Sequence, residues 1–191
     1  MNKENKFELE KETDRSIWWN RLDIDDRFYN PEYPIIDWFF DEYRYLSNYH
    51  IQPIIYNGKS YISTENAYQA SKTTLEEAHE DIRLASSPGK SKKLGQLVKL
   101  RPDWEEVKEQ IMREVVWLKF NADADLANKL ISTNNAYLIE GTVWHDNFYG
   151  ICLKKNCEKC EHKIGKNILG KILMETRKRL KENIDFINKV S

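Results

Sequence analysis

The chain has 191 residues, of which 40% are hydrophobic, 12% aromatic and 32% charged. This length and composition suit one globular domain with a substantial core, and they exclude a chain that is disordered throughout. Because 30 basic and 31 acidic residues leave a formal net charge of −1, the overall charge provides no attraction to nucleic acid.

Apolar stretches in the chain fall short of the roughly 18–20 residues that cross a bilayer. The polar start at residues 1–6 lacks the apolar segment of a secretory signal. We therefore expect a cytoplasmic protein with no membrane partner.

The first predicted part of the chain is an N-terminal extension at residues 1–34. Its adjacent Trp18 and Trp19 indicate an arm that packs on the core, because two indole rings are costly to leave in water. The remaining residues, 35–191, form the predicted main domain.

A strand and a hairpin open the main domain. The strand is predicted at residues 35–40. Asn57 and Gly58 suit the positive φ angles of a type I′ turn between two short strands. Ser63 follows the hairpin directly and is a good N-cap, so a helix is predicted to begin there.

Helices dominate the rest of the chain. After a helix at 75–85, the Ser-Ser-Pro-Gly run at 86–89 is predicted to be a break, and a capping box at Asp103 begins the main core helix. The further predicted elements are helices at 91–99, 104–120, 126–131 and 168–180 and a strand at 137–140. The predicted fold class is therefore α+β, mostly helical, as one domain with a small strand and hairpin element.

One face of the helix after Ser63 has an unusual composition. Positions i, i+3, i+4 and i+7 of a helix point the same way, which aligns Glu65, Tyr68, Gln69 and Lys72. An acid, a phenol, an amide and an amine on one stripe favour a chemical site. The alternative is an ordinary surface helix whose acid and amine are solvated ends.

The three cysteines cluster near the C-terminal part of the chain. Cys157 and Cys160 have the spacing of a zinc half-site, and Cys152 with His162 can complete a tetrahedral set. The alternative is a lysine-rich surface loop with incidental thiols. A catalytic cysteine is disfavoured, because no histidine and asparagine are evidently fixed beside it.

Several segments occur in a specific order. They are Phe39-Phe40, the Leu-Ser-Asn-Tyr turn at 46–49, the Glu-x-x-Tyr-Gln-Ala-x-Lys run at 65–72, and the stretches at 101–108, 140–150 and 165–177. This order resembles the YbiA-like family, also called the NADAR (NAD and ADP-ribose associated) superfamily, across nearly all of residues 36–181.

The resemblance implies an N-glycosidase that cuts a ribose C1–N bond and requires no cofactor for catalysis. One branch of the family removes ADP-ribose from guanine in nucleic acid through a lysine Schiff base, which reverses DNA ADP-ribosylation. Another branch hydrolyses ribosylated intermediates of riboflavin synthesis. The implied partners are ADP-ribose-containing or phosphoribosyl substrates, and ADP-ribosylated nucleic acid is among them. A non-catalytic module that binds ADP-ribose or a nucleotide is the alternative.

Such a reaction suggests roles for the stripe on the helix. Glu65 can transfer a proton, and Lys72 can capture C1 as an imine if its amine is partly neutral. An objection is that a carboxylate near Lys72 favours the ammonium form, while the helix dipole favours the anion of Glu65.

The resemblance adds further candidate residues. Asp146, in the family position after a strand, orients water or a ribose hydroxyl, or else caps a loop. For Lys119 the choice lies between a phosphate contact and a helix end, and for Asn167 between phosphate and a helix cap. Relatives often carry Trp where this chain has Tyr149. The candidate substrate-binding residues are Asn48, Tyr68, Gln69, Lys119, Tyr149 and Asn167.

Overall fold

The computed structural model describes Arg15 and residues 18–190, the last four of these by their backbone alone. Within these residues the fold is α+β and mostly helical, which confirms the predicted class. The helices are α1 (Thr64–Ala70), α2 (Glu76–Arg83), α3 (Pro88–Gly95), α4 (Trp104–Asn121), α5 (Ala124–Ser132) and α6 (Ile168–Val190). None of the described helices is long and apolar enough to cross a membrane.

The strands are short and form three separate pairs. They are β1 (Ile35–Ile36), β2 (Ile54–Tyr56), β3 (Lys59–Tyr61), β4 (Tyr137–Leu138), β5 (Gly141–Thr142) and β6 (Ile151–Cys152). β2 and β3 are antiparallel, whereas β1 pairs with β4 and β5 with β6 in parallel. The pair β1–β4 joins Ile35 to Tyr137 across most of the helical part of the chain, whereas the other two pairs join segments that are near each other in sequence.

The hairpin and the helix after it form as predicted. Asn57 and Gly58 have φ angles of 49° and 75°, as a type I′ turn requires. The Oγ atom of Ser63 then accepts a hydrogen bond from the backbone N of Asn66 at 3.1 Å. This N-cap fixes the start of α1, and every residue of α1 is buried.

α1 is enclosed by other elements of the helical layer. It packs against α2, α3 and α4, while α4 also packs against α5 and α6. The alternative of an ordinary surface helix is therefore wrong for α1, whose Glu65 is only 6% exposed.

Two predicted element boundaries are wrong. The first strand ends at Ile36, because Asp41, with a φ of 47°, turns the chain into a 3-10 helix at Asp41–Leu46. The predicted break at 86–89 holds only for residues 86 and 87, because α3 begins at Pro88. Ser87 accepts a hydrogen bond from the backbone N of Lys90 at 3.3 Å, and Pro88 occupies the first helical turn, where its missing N–H has no cost.

The described part of the N-terminal extension packs on the core. Trp18 is fully buried within the main hydrophobic cluster. Leu22 forms a parallel bridge with Gly165, and the backbone N of Asp23 donates to the carbonyl of Gly165 at 2.9 Å. These contacts join the start of the described chain to the segment before α6.

Candidate active site

A cavity of about 430 Å³ opens where α1, α3 and the segment after β4 meet. It is lined by seven residues that the sequence predicts for the site: Asn48, Glu65, Tyr68, Gln69, Lys72, Asp146 and Tyr149. The predicted acid and the predicted amine therefore share one cavity.

Glu65 lies at the buried start of α1. Its Oε1 atom accepts a hydrogen bond of 2.8 Å from Nε2 of Gln69, one helical turn further on. Burial raises the pKa of Glu65, although the charge of Lys92 and the bond from Gln69 act in the opposite direction. The side chain is therefore disposed to hold a proton.

Lys72 lies just beyond the C-terminal end of α1 and is half-buried. Its Nζ atom lies 5.8 Å from the ring centre of Tyr68 and 5.9 Å from a ring centre of Trp104. Burial lowers the pKa of Lys72 and outweighs the opposing charge of Glu65. Desolvation thus favours the neutral forms of both groups, which answers the objection raised from the sequence.

Tyr68 and Tyr149 form one wall of the cavity. Their hydroxyl oxygens lie 2.8 Å apart, and the hydroxyl of Tyr149 also donates to the carbonyl of Lys108 at 3.2 Å. Burial raises the pKa of both phenols, so they remain neutral hydrogen-bonding groups.

Asp146 caps a loop, which is one of the two roles considered from the sequence, and it also faces the cavity. Its side chain lines the cavity. Its Oδ1 atom accepts hydrogen bonds from the backbone N of Phe148 at 2.9 Å and of Tyr149 at 3.0 Å. These bonds fix the carboxylate and the turn that carries Tyr149.

Glu140 is a site residue that sequence reasoning did not select. Its side chain lines the cavity, and its Oε2 atom is shielded from solvent without a hydrogen-bond partner. Burial raises the pKa of Glu140 to about 8, with further contributions from Asp146 and Glu65. The sequence feature that could have indicated Glu140 is an acidic residue directly after the apolar run at 137–139.

Two predicted binding residues lie outside the lining. Lys119 is 1% exposed and donates from Nζ to the carbonyl of Ser47 at 2.8 Å. Asn167 accepts from the backbone N of Glu140 at 3.0 Å and donates to the carbonyl of Leu138 at 2.9 Å. The structure thus corrects the phosphate alternative for both residues, because their side chains bind backbone groups that support the cavity. Lys119 lies in the last turn of α4 and Asn167 directly before α6, where the helix-end and helix-cap alternatives placed them.

Two cations that the sequence analysis did not select also line the cavity. Arg44 lies over the ring of Phe40, with 5.6 Å between its Cζ atom and the ring centre. Lys92, on α3, places Nζ 5.4 Å from a ring centre of Trp144 and 5.7 Å from that of Tyr49. Cations beside aromatic rings are a suitable environment for a phosphorylated nucleotide.

The three cysteines lie together, but their histidine partner differs from the prediction. Ligand atoms of His145, Cys152, Cys157 and Cys160 all lie within 4.8 Å of one another. The side chain of His162 is 91% exposed and pairs with Glu161. The fourth position of the cluster therefore belongs to His145.

An α+β fold with a cavity that holds a partly desolvated amine and two carboxyl groups is typical of an enzyme active site. The NADAR domain family matches residues 27–181. The chain is 37% identical over 142 residues to N-glycosidase YbiA of Escherichia coli K12, covering 73% of this chain and 83% of that protein.

Further similarities agree with that match. The solved NMR structure of E. coli YbiA gives a TM-score of 0.67 at 35% identity, covering 82% of this chain and 90% of the other. An N-glycosidase of Nostoc punctiforme is 33% identical over 144 residues, covering 73% of this chain and 86% of that protein. A riboflavin biosynthesis protein of Vibrio vulnificus is 29% identical over 171 residues, which span 83% of this chain but 39% of that protein.

The chain belongs to the NADAR domain family. It is a hydrolase that acts on N-glycosyl bonds.

Proposed function

We propose that the protein hydrolyses the bond between ribose C1 and a base nitrogen of an ADP-ribosylated base, with guanine in nucleic acid as the first candidate, through an imine on Lys72. The observation that carries this proposal is one cavity shared by an amine that burial favours as neutral and two carboxyl groups that burial favours as protonated. An amine nucleophile and proton donors in adjacent positions are what such a cleavage requires.

The first half of the reaction releases the base. The lone pair of Lys72 Nζ attacks C1, and the electron pair of the C1–N bond stays on the base nitrogen. That nitrogen takes the proton of the Glu65 carboxylic acid, and the carboxylate then accepts a proton from the attached Nζ.

The second half releases the sugar and needs another proton. Glu140 protonates O4′, the C1–O4′ bond opens, and C1 and Nζ form a protonated imine. Water then adds to C1 and gives a proton back to Glu140. Glu65 protonates Nζ as the C1–Nζ bond breaks, and it recovers its proton from the new C1 hydroxyl. One water is consumed, and the amine and both acids are restored.

The lining of the cavity supports a phosphorylated nucleotide substrate. Arg44 and Lys92 provide positive charge, and Tyr49 and Trp144 provide aromatic faces. Trp144 is 44% exposed, so a base can stack on it at the edge of the cavity. An ADP-ribosyl group offers a diphosphate for the cations and an adenine for the rings.

Two alternatives have specific support. The name of the V. vulnificus relative favours a phosphoribosyl intermediate of riboflavin synthesis as the substrate. A non-catalytic ADP-ribose-binding module would use the same cations and rings. It gives no role to the desolvated Lys72 or to the partnerless carboxyl oxygen of Glu140.

The reaction as written uses no cofactor. We also propose a zinc ion at the thiol cluster and give it a structural role, because no cysteine is among the residues that line the cavity in the described part of the chain. A cytoplasmic location is part of the same proposal, since its nucleotide substrates are intracellular.

A paired substrate assay tests the choice of substrate. The protein is incubated with an ADP-ribosylated guanine oligonucleotide and, separately, with a ribosylated pyrimidine phosphate, and chromatography measures the products. We expect the unmodified oligonucleotide and free ADP-ribose from the first. Release of pyrimidine alone would favour the riboflavin alternative, and binding without release would favour the non-catalytic module.

Borohydride trapping tests the imine. Reduction during turnover of the substrate that is cleaved should add the mass of the sugar fragment to wild-type protein. The matched control is Lys93→Ala, because Lys93 is an exposed lysine on α3 outside the cavity. We expect Lys93→Ala to trap normally, and Lys72→Ala to form no adduct and to lose at least about 1,000-fold in turnover. An adduct on Lys72→Ala would exclude this lysine.

A further inference from the structure

We infer that the proposed zinc ion is bound by His145, Cys152, Cys157 and Cys160, and that it fixes the cavity wall that carries Trp144 and Asp146. The cluster itself is separate from the proposed catalytic groups. It connects to them through the chain, because His145 lies between the two cavity-lining residues.

The spacing of the ligand atoms suits a tetrahedral ion. Nδ1 of His145 lies 3.1 Å from Sγ of Cys157, 3.5 Å from that of Cys160 and 3.9 Å from that of Cys152. A tetrahedral zinc with bonds of about 2.3 Å to sulfur and about 2.0–2.1 Å to nitrogen separates these atoms by about 3.6 Å. The three distances lie around this value, so one ion can contact all four residues with little movement.

The chemistry of the donors selects the metal. All three cysteines are free thiols, and Cys152 and Cys160 are fully buried. Three thiolates and an imidazole in a tetrahedral arrangement are a typical structural zinc set with no open position. The order His-x6-Cys-x4-Cys-x2-Cys includes the Cys-x-x-Cys pair that zinc sites commonly use.

A second layer of hydrogen bonds supports the cluster. Nδ2 of Asn147 donates to Sγ of Cys160 at 3.2 Å, while its Oδ1 accepts from the backbone N of Cys152 at 3.2 Å. Arg21 donates to the carbonyls of Cys160 at 2.8 Å and of Cys152 at 2.9 Å. Such bonds orient metal ligands, and the cation of Arg21 offsets the net negative charge of a zinc with three thiolates.

The backbone at His145 shows why a metal bond matters for the cavity. His145 has a φ of 69°, in the left-handed region that is unfavourable for a residue with a side chain. A bond from its ring to zinc would hold this conformation, and the positions of Trp144 and Asp146 depend on it. The consequence for substrate binding rests on the proposed function, whereas the metal site does not.

Metal content is the direct test. Zinc is measured by elemental analysis and native mass spectrometry on reduced protein purified in the presence of zinc. We expect one zinc per chain in the wild type and in His162→Ala, the matched control that removes the exposed histidine. We expect His145→Ala to lose its zinc in a mildly chelating buffer that the wild type withstands.

Two results would overturn the assignment: wild-type protein that holds no zinc, and His145→Ala that retains zinc as firmly as the wild type. Iron in place of zinc would overturn the choice of metal.

A second measurement covers the case in which His145→Ala does not fold. Wild-type protein stripped of metal is titrated with Co²⁺, whose thiolate charge-transfer and visible bands report tetrahedral sulfur coordination. We expect those bands to appear and then to disappear when zinc is added. Absence of the bands in folded wild-type protein would refute the site, whatever the activity assays show. Conversely, inactive protein with intact zinc would refute only the proposed function.

Discussion

A carboxyl oxygen of Glu140 is buried at the cavity without a hydrogen-bond partner, as are the amide oxygens of Asn48 and Gln69. A buried polar atom without a hydrogen bond costs free energy, so its retention needs a compensating role. Asn167 fixes the backbone N of the same residue at 3.0 Å, which holds the side chain at the cavity. Both observations support a carboxylic acid that is kept ready for a substrate oxygen.

We expect the substitution Glu140→Gln to stabilise the protein at alkaline pH and to slow turnover by at least about 100-fold. The folded-state pKa of about 8 lies above the usual 4.5, so the folded state binds the extra proton. Stability from this group is present below about pH 4.5 and is lost as the pH rises through about 8. The variant should therefore gain about 1–3 kcal/mol near pH 9 and nothing near pH 4.

Urea denaturation at the two pH values measures this difference. Glu105→Gln is the control, because Glu105 is an exposed acid on α4 and should show no such pH-dependent gain. Equal stability changes for the two variants across pH would contradict the prediction.

At the residue scale, the sequence identifies those site residues that a local helical pattern connects. Helical spacing predicts Glu65 and Lys72 together, and both line the cavity, although α1 ends at Ala70 and Lys72 lies just beyond it. Glu140 and Lys92 come from segments about 50 residues apart, so no local pattern connects them. For Lys119 the sequence leaves open a phosphate contact and a helix end, because it does not show that the amine will donate to the backbone carbonyl of Ser47.

The contact between α3 and α1 positions Glu65, the proposed catalytic acid. Gly95 of α3 lies so close to Gln69 that an added Cβ would come within 2.2 Å of Gln69 Oε1 and 3.0 Å of its Cβ. Gln69 in turn donates to Glu65 at 2.8 Å. The small residue on α3 therefore allows the amide to hold the carboxyl group in place.

We expect Gly95→Ala to displace Gln69, to lower the free energy of unfolding by about 1–3 kcal/mol and to reduce turnover. Gly89→Ala is the matched control on the same helix, because an added Cβ there meets nothing within 4 Å. The control should be neutral or slightly stabilising, since alanine favours a helix by about 1 kcal/mol over glycine. Thermal unfolding and the substrate assay check both variants, and equal activity in the two would contradict this arrangement.

At the element scale, local capping explains the outcome for α1 and α3. The hydroxyl of Ser63 caps α1 by accepting a hydrogen bond from the backbone N of Asn66. Because the two residues are three positions apart, the sequence alone predicts this cap. Ser87 and Pro88 carry the same information, but the following glycine was given too much weight as a helix breaker. The strand predicted at 35–40 is too long, because only Ile35 and Ile36 pair with another strand, at Tyr137 and Leu138.

At the scale of the whole molecule, the N-terminal extension contributes to the main core. Trp18 is fully buried and belongs to the same hydrophobic cluster as residues of α1, α4 and α6. The two adjacent tryptophans predicted such packing, but they could not show what the segment would contact. In the structure, Arg21 and Leu22 contact backbone groups of the segment from Cys152 to Gly165, more than 130 residues away in the sequence.

We expect Trp18→Ala to lower the free energy of unfolding by about 3–5 kcal/mol, because it leaves a large cavity in a packed core. Leu97→Ala is the control for loss of an apolar side chain, since Leu97 is 83% exposed and should change stability by less than about 0.5 kcal/mol. Denaturant titration followed by circular dichroism compares them. A Trp18→Ala variant as stable as the control would show that the extension is dispensable.

The cysteine cluster shows how far sequence neighbourhood can mislead. His162 is two residues from Cys160 but points to solvent, whereas His145 is seven residues before Cys152 and meets all three thiols. The pairing of β5 with β6 brings the two segments side by side, which a linear pattern does not reveal.

The stretch of chain that matches the family is shorter than the stretch that forms the folded core. The match to the NADAR domain family begins at residue 27, yet Trp18 and Arg21 lie before it. A shortened protein starting at residue 27 would lack the indole that fills the core and the guanidinium that joins two cysteine carbonyls. Recombinant protein should therefore include the segment that carries Trp18 and Arg21. A protein trimmed to the matched region should be less stable, whatever substrate it is given.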